Sequence, residues 1–97
     1  MDLHVFIVGI FLKKYQIIDN INLPLQCEVY SICCLNNGNI LTGHFNGFIQ
    51  YWNFNNNKLE YNGKRKFHDN RIRVISQISD DLILSGSNDS KIQIIKT

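Results

Sequence analysis

An internal repeat constrains the fold of this 97-residue chain more than any other feature of its sequence. Residues 29–53 align without a gap onto residues 72–96, an offset of 43 residues. Apolar residues fall on apolar residues in the two copies, and Thr42-Gly43 falls on Ser85-Gly86. Self-similarity at a fixed period is the signature of repeat architectures, in which each unit buries its apolar face against a neighbour.

Each copy alternates short runs of β-forming residues with turns, and neither copy has a sustained helical period. The first copy predicts strands at 29–34, 40–42 and 48–54, and a fourth strand from 58–61 and 64–67, split by Asn62-Gly63. The second copy predicts strands at 72–78, 82–85 and 91–95. Asn-Gly and Asp-rich segments at 36–38, 43–47, 55–57, 79–81 and 87–90 supply the turns and loops. Four short strands in about 40 to 45 residues are typical of one blade of a β-propeller.

Three short pieces of the sequence resemble the WD-repeat family. Residues 84–89, Leu-Ser-Gly-Ser-Asn-Asp, resemble its second strand leading into an aspartate turn. Residues 49–53, Ile-Gln-Tyr-Trp-Asn, resemble the strand that ends in Trp-Asp, and Phe67-His68 resembles the Gly-His that opens a blade. The resemblance implies an all-β fold of antiparallel four-stranded blades in an incomplete β-propeller ring.

The resemblance also divides the chain into three parts. Residues 25–67 form a complete blade, and residues 68–97 form the first three strands of the next. Residues 1–24 supply the last two strands of a preceding blade, at 5–9 and 14–18, followed by a connector. Sheets cut in this way leave unpaired edges and faces. This predicts a fragment, a truncated gene product, or a piece that associates with further propeller blades or with a complex that completes the ring.

In WD repeats a histidine, a serine or threonine, an aspartate and a tryptophan form a buried hydrogen-bonded set within each blade. The resemblance assigns these structural roles to Thr42, Trp52, His68, Ser85 and Asp89. Neither set is complete, because Asn46 and Ile95 replace the aspartate and the tryptophan, and Leu25 stands where the first histidine is expected. We therefore expect apolar packing to hold the blades together more than these networks do.

Partner binding in this family concentrates on the loops at one end of the blades, since loops on a rigid scaffold carry most binding residues. The matching positions are Glu28, Tyr30, Phe45, Arg71, Arg73 and Asn88. Aromatic residues and arginine dominate the energetics of protein interfaces, and an arginine pair suits an acidic or phosphorylated peptide. An equally weighted alternative is that these are solvated loop residues.

Composition excludes several other classes of protein. The apolar content of 44% argues against a disordered chain, and the net charge of +2 is too small to indicate nucleic-acid binding by itself. The triplet Lys64-Arg65-Lys66 is interpreted as an exposed turn. Residues 5–12 are apolar but too few to span a bilayer, and they lack the features of a signal peptide.

The remaining motifs predict no cofactor, metal or catalytic site. Three cysteines without CxxC spacing suit reduced thiols in the cytoplasm or nucleus. The three histidines lack metal-ligand spacing, and Ser85 lies in no nucleophile elbow. A catalytic role for His68 with Asp89 is weighed against a structural hydrogen bond, which is favoured because no motif places a nucleophile.

The function predicted from the sequence is therefore a non-enzymatic protein-interaction scaffold. One alternative is a propeller associated with RNA or ribonucleoprotein, in which Lys64-Arg65-Lys66, Arg71 and Arg73 contact phosphates. Another is the substrate-recognition part of a ubiquitin ligase, which requires an adaptor-binding domain in addition to these 97 residues.

Overall fold

A computed structural model describes residues 15–97 of the chain as two antiparallel β-sheets. The strands are β1 (Val29–Cys34), β2 (Ile40–His44), β3 (Phe48–Asn55), β4 (Lys58–Lys66), β5 (Ile72–Ser79), β6 (Leu82–Ser87) and β7 (Ile92–Lys96). The first sheet has the order β1-β2-β3-β4, and the second sheet has the order β5-β6-β7. The described residues contain no helix, so the predicted all-β, antiparallel fold is confirmed.

The structure describes only part of the segment in which two strands were predicted before residue 25. The segment 5–9 lies outside the described residues. Residues 15–24 form no strand, so the described part of the strand predicted at 14–18 is not formed. This segment meets the outer strand of the first sheet through a side chain, because the Leu59 amide donates to the Asp19 carboxylate at 3.0 Å. That bond replaces the backbone ladder that a strand would need.

The 43-residue repeat is present in the hydrogen bonds and not only in the sequence. The Phe45 amide donates to the Glu28 carbonyl at 2.9 Å, and 43 residues later the Asn88 amide donates to the Arg71 carbonyl at 3.2 Å. Strands β1 and β5 also share a register shift at the same position of the repeat. The two sheets are therefore structural copies of each other over their first three strands.

The core lies between the two sheets. Side chains alternate between the faces of a strand, so each sheet offers one face to the other. The buried residues of the core are Cys33, Leu35, Leu41 and Ile49 from the first sheet and Ile72, Ile75 and Ile83 from the second. Tyr51, Phe67 and Ile95 pack against this cluster from the side. The face of the first sheet that carries Leu41 and Ile49 thus packs against the face of the second sheet that carries Ile72, Ile75 and Ile83.

The Ile72 side chain of the second sheet packs closely against the backbone of Gly43 in the first. The Ile72 side chain is fully buried, and a Cβ atom added to Gly43 would lie 2.8 Å from its Cγ2. The Ser31 hydroxyl donates to the Ile72 carbonyl across the same contact at 3.0 Å. Only a residue without a side chain leaves room for Ile72 at this point.

Strand β4 corrects two predictions for the segment around Asn62-Gly63. Gln50 pairs with Lys64 and Trp52 pairs with Tyr61, so two residues of β4 lie opposite one residue of β3. This is a β-bulge, and the positive φ of Gly63 (113°) accommodates the extra residue. The split strand predicted here is one continuous strand, and the triplet Lys64-Arg65-Lys66 belongs to it and not to an exposed turn.

The turn between β2 and β3 joins the two repeats through Gly47. Its carbonyl accepts hydrogen bonds from the amides of Phe67 and His68, each at 3.1 Å. Gly47 has φ of 83°, and a Cβ atom there would collide with the His68 carbonyl. Glycine is therefore required at this position for its conformation and for the space that it leaves.

Substitution of Gly47 by alanine is expected to destabilise the fold by about 3 kcal/mol, from left-handed strain plus the collision with His68. Gly38→Ala is the matched control, since Gly38 also has a positive φ (89°) but no atom within 4 Å of an added Cβ. The control should cost only about 1 to 2 kcal/mol. Urea unfolding of both variants gives the comparison, and equal losses would contradict the role of the His68 contact.

Candidate partner-binding surface

Each sheet contains a buried polar network, and the first is centred on the Thr42 hydroxyl. The indole Nε1 of Trp52 donates to Thr42 Oγ1 at 2.8 Å, and Thr42 Oγ1 lies 2.6 Å from Nε2 of His44. Nδ1 of His44 lies 2.7 Å from the Cys27 carbonyl. Thr42, His44 and Trp52 are all buried, and their polar atoms satisfy one another.

His44 overturns the expectation that the first network lacks a histidine. The imidazole comes from the end of β2, because this strand continues through Gly43 and His44 where a turn was predicted from Gly43 onward. Leu25, which stands where the sequence pattern expects histidine, is exposed. His44 therefore bonds to the hydroxyl of Thr42 from within the same sheet.

The hydrogen bonds of this network run in one direction when His44 is neutral. A carbonyl only accepts, so Nδ1 carries the proton that is donated to Cys27. Nε2 is then free to accept from the Thr42 hydroxyl, which accepts in turn from Trp52. Burial lowers the pKa of His44, against the opposing effect of its bond to the Cys27 carbonyl. The neutral imidazole is thus the form that the folded chain favours.

The second network is centred on His68. Its Nε2 lies 2.7 Å from the Ser85 hydroxyl, and its Nδ1 lies 2.9 Å from the Asp89 carboxylate. The carboxylate also accepts from the amides of Asp69 at 3.0 Å and Lys91 at 2.9 Å. Desolvation opposes ionisation of Asp89, but these amides and His68 outweigh it and lower its pKa to about 2. The Asp89 carboxylate therefore stays charged over the whole physiological range.

The two networks share a plan, although different parts of the repeat build them. An imidazole binds the hydroxyl at the equivalent positions Thr42 and Ser85. Trp52 is the further partner in the first sheet, and Asp89 is the further partner in the second. The side chain of His68 is fully buried.

The six residues predicted to bind partners are brought together across the two sheets. Backbone bonds join Glu28 to Phe45 and Arg71 to Asn88, and side-chain contacts join the rest. We call this the loop-end surface: Glu28, Tyr30, Phe45, Arg71, Arg73 and Asn88. Their role in binding stays a prediction, whereas their proximity is a property of the structure.

Arg71 lies at the centre of the loop-end surface and is only half-exposed. Its guanidinium carbon is 5.0 Å from the centre of the Tyr30 ring and 5.2 Å from that of Phe45. Its Nη1 also donates to the Tyr30 hydroxyl at 3.3 Å. Such cation–π contacts hold a guanidinium in place without neutralising its charge. Arg71 is therefore a positioned residue and not a solvated loop side chain.

The positive charge of the loop-end surface has no acidic partner within residues 15–97. Neither Arg71 nor Arg73 forms a salt bridge there, and Arg73 instead donates to the Asn88 side-chain oxygen at 2.8 Å. The Nε of Arg71 is the buried side-chain nitrogen of this part of the chain that has no hydrogen-bond partner. A buried unsatisfied donor in a native structure calls for an explanation.

The basic triplet on β4 does not form one patch. All three side chains are exposed, but alternation along the strand places Lys64 and Lys66 on one face and Arg65 on the other. Lys64 lies over the Phe48 ring at 5.2 Å, and Arg65 lies over the Phe67 ring at 5.4 Å. The sheet therefore separates the charges that the sequence places together.

The remaining reactive groups form no site in the part of the chain that the structure describes. Cys27, Cys33 and Cys34 are free, and burial raises the pKa of the Cys33 thiol. No cluster of His, Cys, Asp and Glu among residues 15–97 could hold a metal ion. The same residues include no helix long and apolar enough to cross a membrane.

No protein-family model, no curated protein and no solved structure matches the chain.

Replacement of Thr42 by valine is expected to destabilise the fold by about 2 to 3 kcal/mol. The change keeps the shape of the side chain but leaves the Trp52 indole and the His44 imidazole without their shared partner. Thr42→Ser is the control, because it keeps the hydroxyl and removes only a methyl group, at a cost of about 1 kcal/mol. Chemical denaturation compares the two variants. If Thr42→Val is the more stable, apolar packing dominates, as the sequence suggests.

Acid should destabilise the chain in two ranges of pH. In the unfolded chain His44 gains its proton near its ordinary pKa of 6.5, whereas in the folded chain its pKa is lower. The free energy of unfolding therefore falls as pH drops below 6.5. Asp89 adds a second loss between its ordinary pKa of 3.8 and about 2. When the free energy of unfolding is measured against pH, its fall below pH 6.5 should be absent in His44→Gln. Its fall between pH 3.8 and about 2 should be absent in Asp89→Asn. An unchanged slope in either variant would contradict the assignment.

Proposed function

We propose that the chain is a WD-repeat-type β-propeller unit that acts as a non-enzymatic protein-interaction module. Three observations support this proposal. Two structural copies of an antiparallel sheet recur every 43 residues, the copies pack face to face, and each contains a buried histidine–hydroxyl network. A rigid stack of sheets with a cluster of arginine and aromatic residues at its loop end suits the binding of protein partners.

The observation that carries the binding proposal is the arrangement of Arg71. Tyr30 and Phe45 hold the guanidinium between the two sheets, and no carboxylate within residues 15–97 neutralises it. A guanidinium held in place loses little side-chain entropy when it binds, and carboxylates and phosphates match its geometry. The proposed ligand is therefore an extended acidic segment of a partner protein, which places a carboxylate or a phosphate group against Arg71.

A non-enzymatic role is supported by the state of the best candidate for catalysis. Both ring nitrogens of His68 are engaged, and the side chains of His68 and Asp89 are almost completely buried. A general acid or base needs a substrate within hydrogen-bonding reach. The pair fits a structural bond that secures the turn between β6 and β7.

The alternatives differ in what they require. An RNA-associated propeller would use the exposed basic residues of β4 together with Arg71 and Arg73, and its affinity would fall steeply with salt. A substrate-recognition role in a ubiquitin ligase would use the same loop-end surface with an acidic degradation signal as ligand. The free cysteines suit a reducing compartment, the cytoplasm or the nucleus, for all of these roles.

The test is fluorescence anisotropy with three labelled peptides that share one backbone sequence and carry glutamate, phosphoserine or neutral residues. We expect the two anionic peptides to bind and Arg71→Ala to weaken them about tenfold or more. Arg65→Ala is the matched control, since it removes an equal charge that also lies over an aromatic ring but is outside the loop-end surface. Equal binding of the neutral peptide, or an equal loss in both variants, would refute the proposal.

The same titration repeated with a single-stranded RNA of equal length separates the RNA alternative. Tight RNA binding with a steep salt dependence, weakened as much by Arg65→Ala as by Arg71→Ala, would favour that alternative over a peptide-binding role.

A further inference from the structure

The repeat leaves one pair of faces packed and another pair exposed. The packed face of the first sheet carries Leu35, Leu41, Ile49 and Tyr51, and it meets the face of the second sheet that carries Ile72, Ile75 and Ile83. Each residue has an equivalent 43 positions away in the other sheet. The two packed faces are opposite faces of the repeat, so these equivalents lie on the two faces that point away from the core.

The outer face of the second sheet is apolar. Beside Ser76 and Gly86 it carries Val74, Ile78, Leu84, Ile92 and Ile94, the equivalents of Ser31, Leu35, Leu41, Ile49 and Tyr51. Ile49 is 5% exposed in the core, whereas Ile92 at the same position of the repeat is 78% exposed. Val74, Ile78 and Ile94 are also more than half exposed. A contiguous exposed apolar patch of this kind marks an interaction surface.

The outer face of the first sheet is its counterpart. It carries Val29, Ile32 and Ile40, the equivalents of Ile72, Ile75 and Ile83. Ile75 is 6% exposed in the core, whereas Ile32 is 63% exposed. Residues 21–27 line the β3 and β4 side of this face, beside Trp52 and Tyr61, and no other part of residues 15–97 covers strand β1.

The shape of the outer face of the second sheet repeats the notch that seats Ile72 in the core. Gly43 forms that notch, and Gly86 is its equivalent. A Cβ atom on Gly86 would meet only Val74 of the same sheet, so the space above the backbone is open. A β-branched side chain at the position of Ile72 fills the notch in the core, and Val29 stands at that position on the other outer face.

Charge complementarity specifies the same pairing. In the core interface Arg71 of the second sheet lies against Tyr30 and Phe45 of the first. The equivalents of Tyr30 and Phe45 are Arg73 and Asn88, and the equivalent of Arg71 is Glu28. Stacking one further sheet in the same way would bring Glu28 against Arg73, an acidic residue against a basic one. Arg73 has no acidic partner within residues 15–97.

We propose that the chain associates with further copies of itself head to tail, so that the outer face of the first sheet in one copy packs on the outer face of the second sheet in the next. The two faces differ, so the contact is heterologous and generates a ring if it closes or a filament if it does not. Each new interface repeats the geometry of the core interface, with Val29 seated over Gly86 and Glu28 paired with Arg73. In the core interface the Ser31 hydroxyl donates to the Ile72 carbonyl. In the new interface Val74 stands at the position of Ser31, so an apolar contact takes the place of this hydrogen bond.

The first test measures molar mass by light scattering and sedimentation across the micromolar range. We expect integer multiples of the monomer that grow with concentration. Ile92→Asp disables one outer face and Ile32→Asp disables the other, so each variant alone should be monomeric. An equimolar mixture should give a one-to-one dimer and nothing larger, since only one working interface can form.

Ile18→Asp is the control, because Ile18 is exposed but belongs to neither outer face; it should associate like the unaltered chain. Circular dichroism and thermal unfolding of each variant verify that the sheets are intact. A monomeric unaltered chain would overturn the proposal. Continued association of either single-face variant, or a mixture that stays monomeric while the unaltered chain associates, would overturn it equally.

The second test addresses register. Glu28→Arg and Arg73→Glu should each weaken association about tenfold, and the double variant should restore it, because every interface then contains the swapped pair. No recovery in the double variant would contradict the predicted stacking. The proposed peptide binding is measured on a separate readout, so self-association and peptide recognition can fail independently.

Discussion

The contact between Ile72 and the backbone of Gly43 is the constraint on which the two-sheet arrangement depends. A fully buried side chain lies directly over a residue that has none, and the Ser31 hydroxyl reaches across the same point to the Ile72 carbonyl. The neighbouring apolar residues of the two sheets then pack against each other. Burial of apolar surface is the main stabilising contribution to such an interface, but it requires that the two backbones can approach.

The polar networks fix what apolar packing leaves undetermined. A hydroxyl on the second strand of each sheet binds an imidazole, and that imidazole ties a distant part of the chain to the strand. His44 ties the segment before β1 through the Cys27 carbonyl, and His68 ties the turn after β6 through Asp89. Buried polar groups that are fully paired contribute specificity to the fold as well as stability. Both networks lie beside the loop-end surface and hold the loops that carry it.

The strands and turns could be predicted because the sequence encodes them locally. Alternating apolar residues, Asn-Gly turns and the 43-residue offset suffice to place seven strands. The role of His44 could not be predicted in this way. Its equivalent in the second copy is Ser87, so the repeat gives no signal, and the imidazole reaches Thr42 because β2 continues through His44, two residues along the same strand. The bulge at Asn62-Gly63 could not be predicted for a related reason. Asn-Gly is typical of a turn, and only the pairing of β4 with β3 decides that a bulge forms there instead.

Trp52 is the only tryptophan of the chain, and its position in the first network has an optical consequence. Its indole and the His44 imidazole both form a hydrogen bond with the Thr42 hydroxyl. A change of proton position on one ring can therefore alter the hydrogen bond of the other. When the imidazole gains a proton, the hydroxyl must accept from both rings and its own hydrogen loses its acceptor. Protonation of His44, which solvent does not reach, is therefore expected to change the emission of this single indole, so that tryptophan fluorescence would report the charge of a buried histidine.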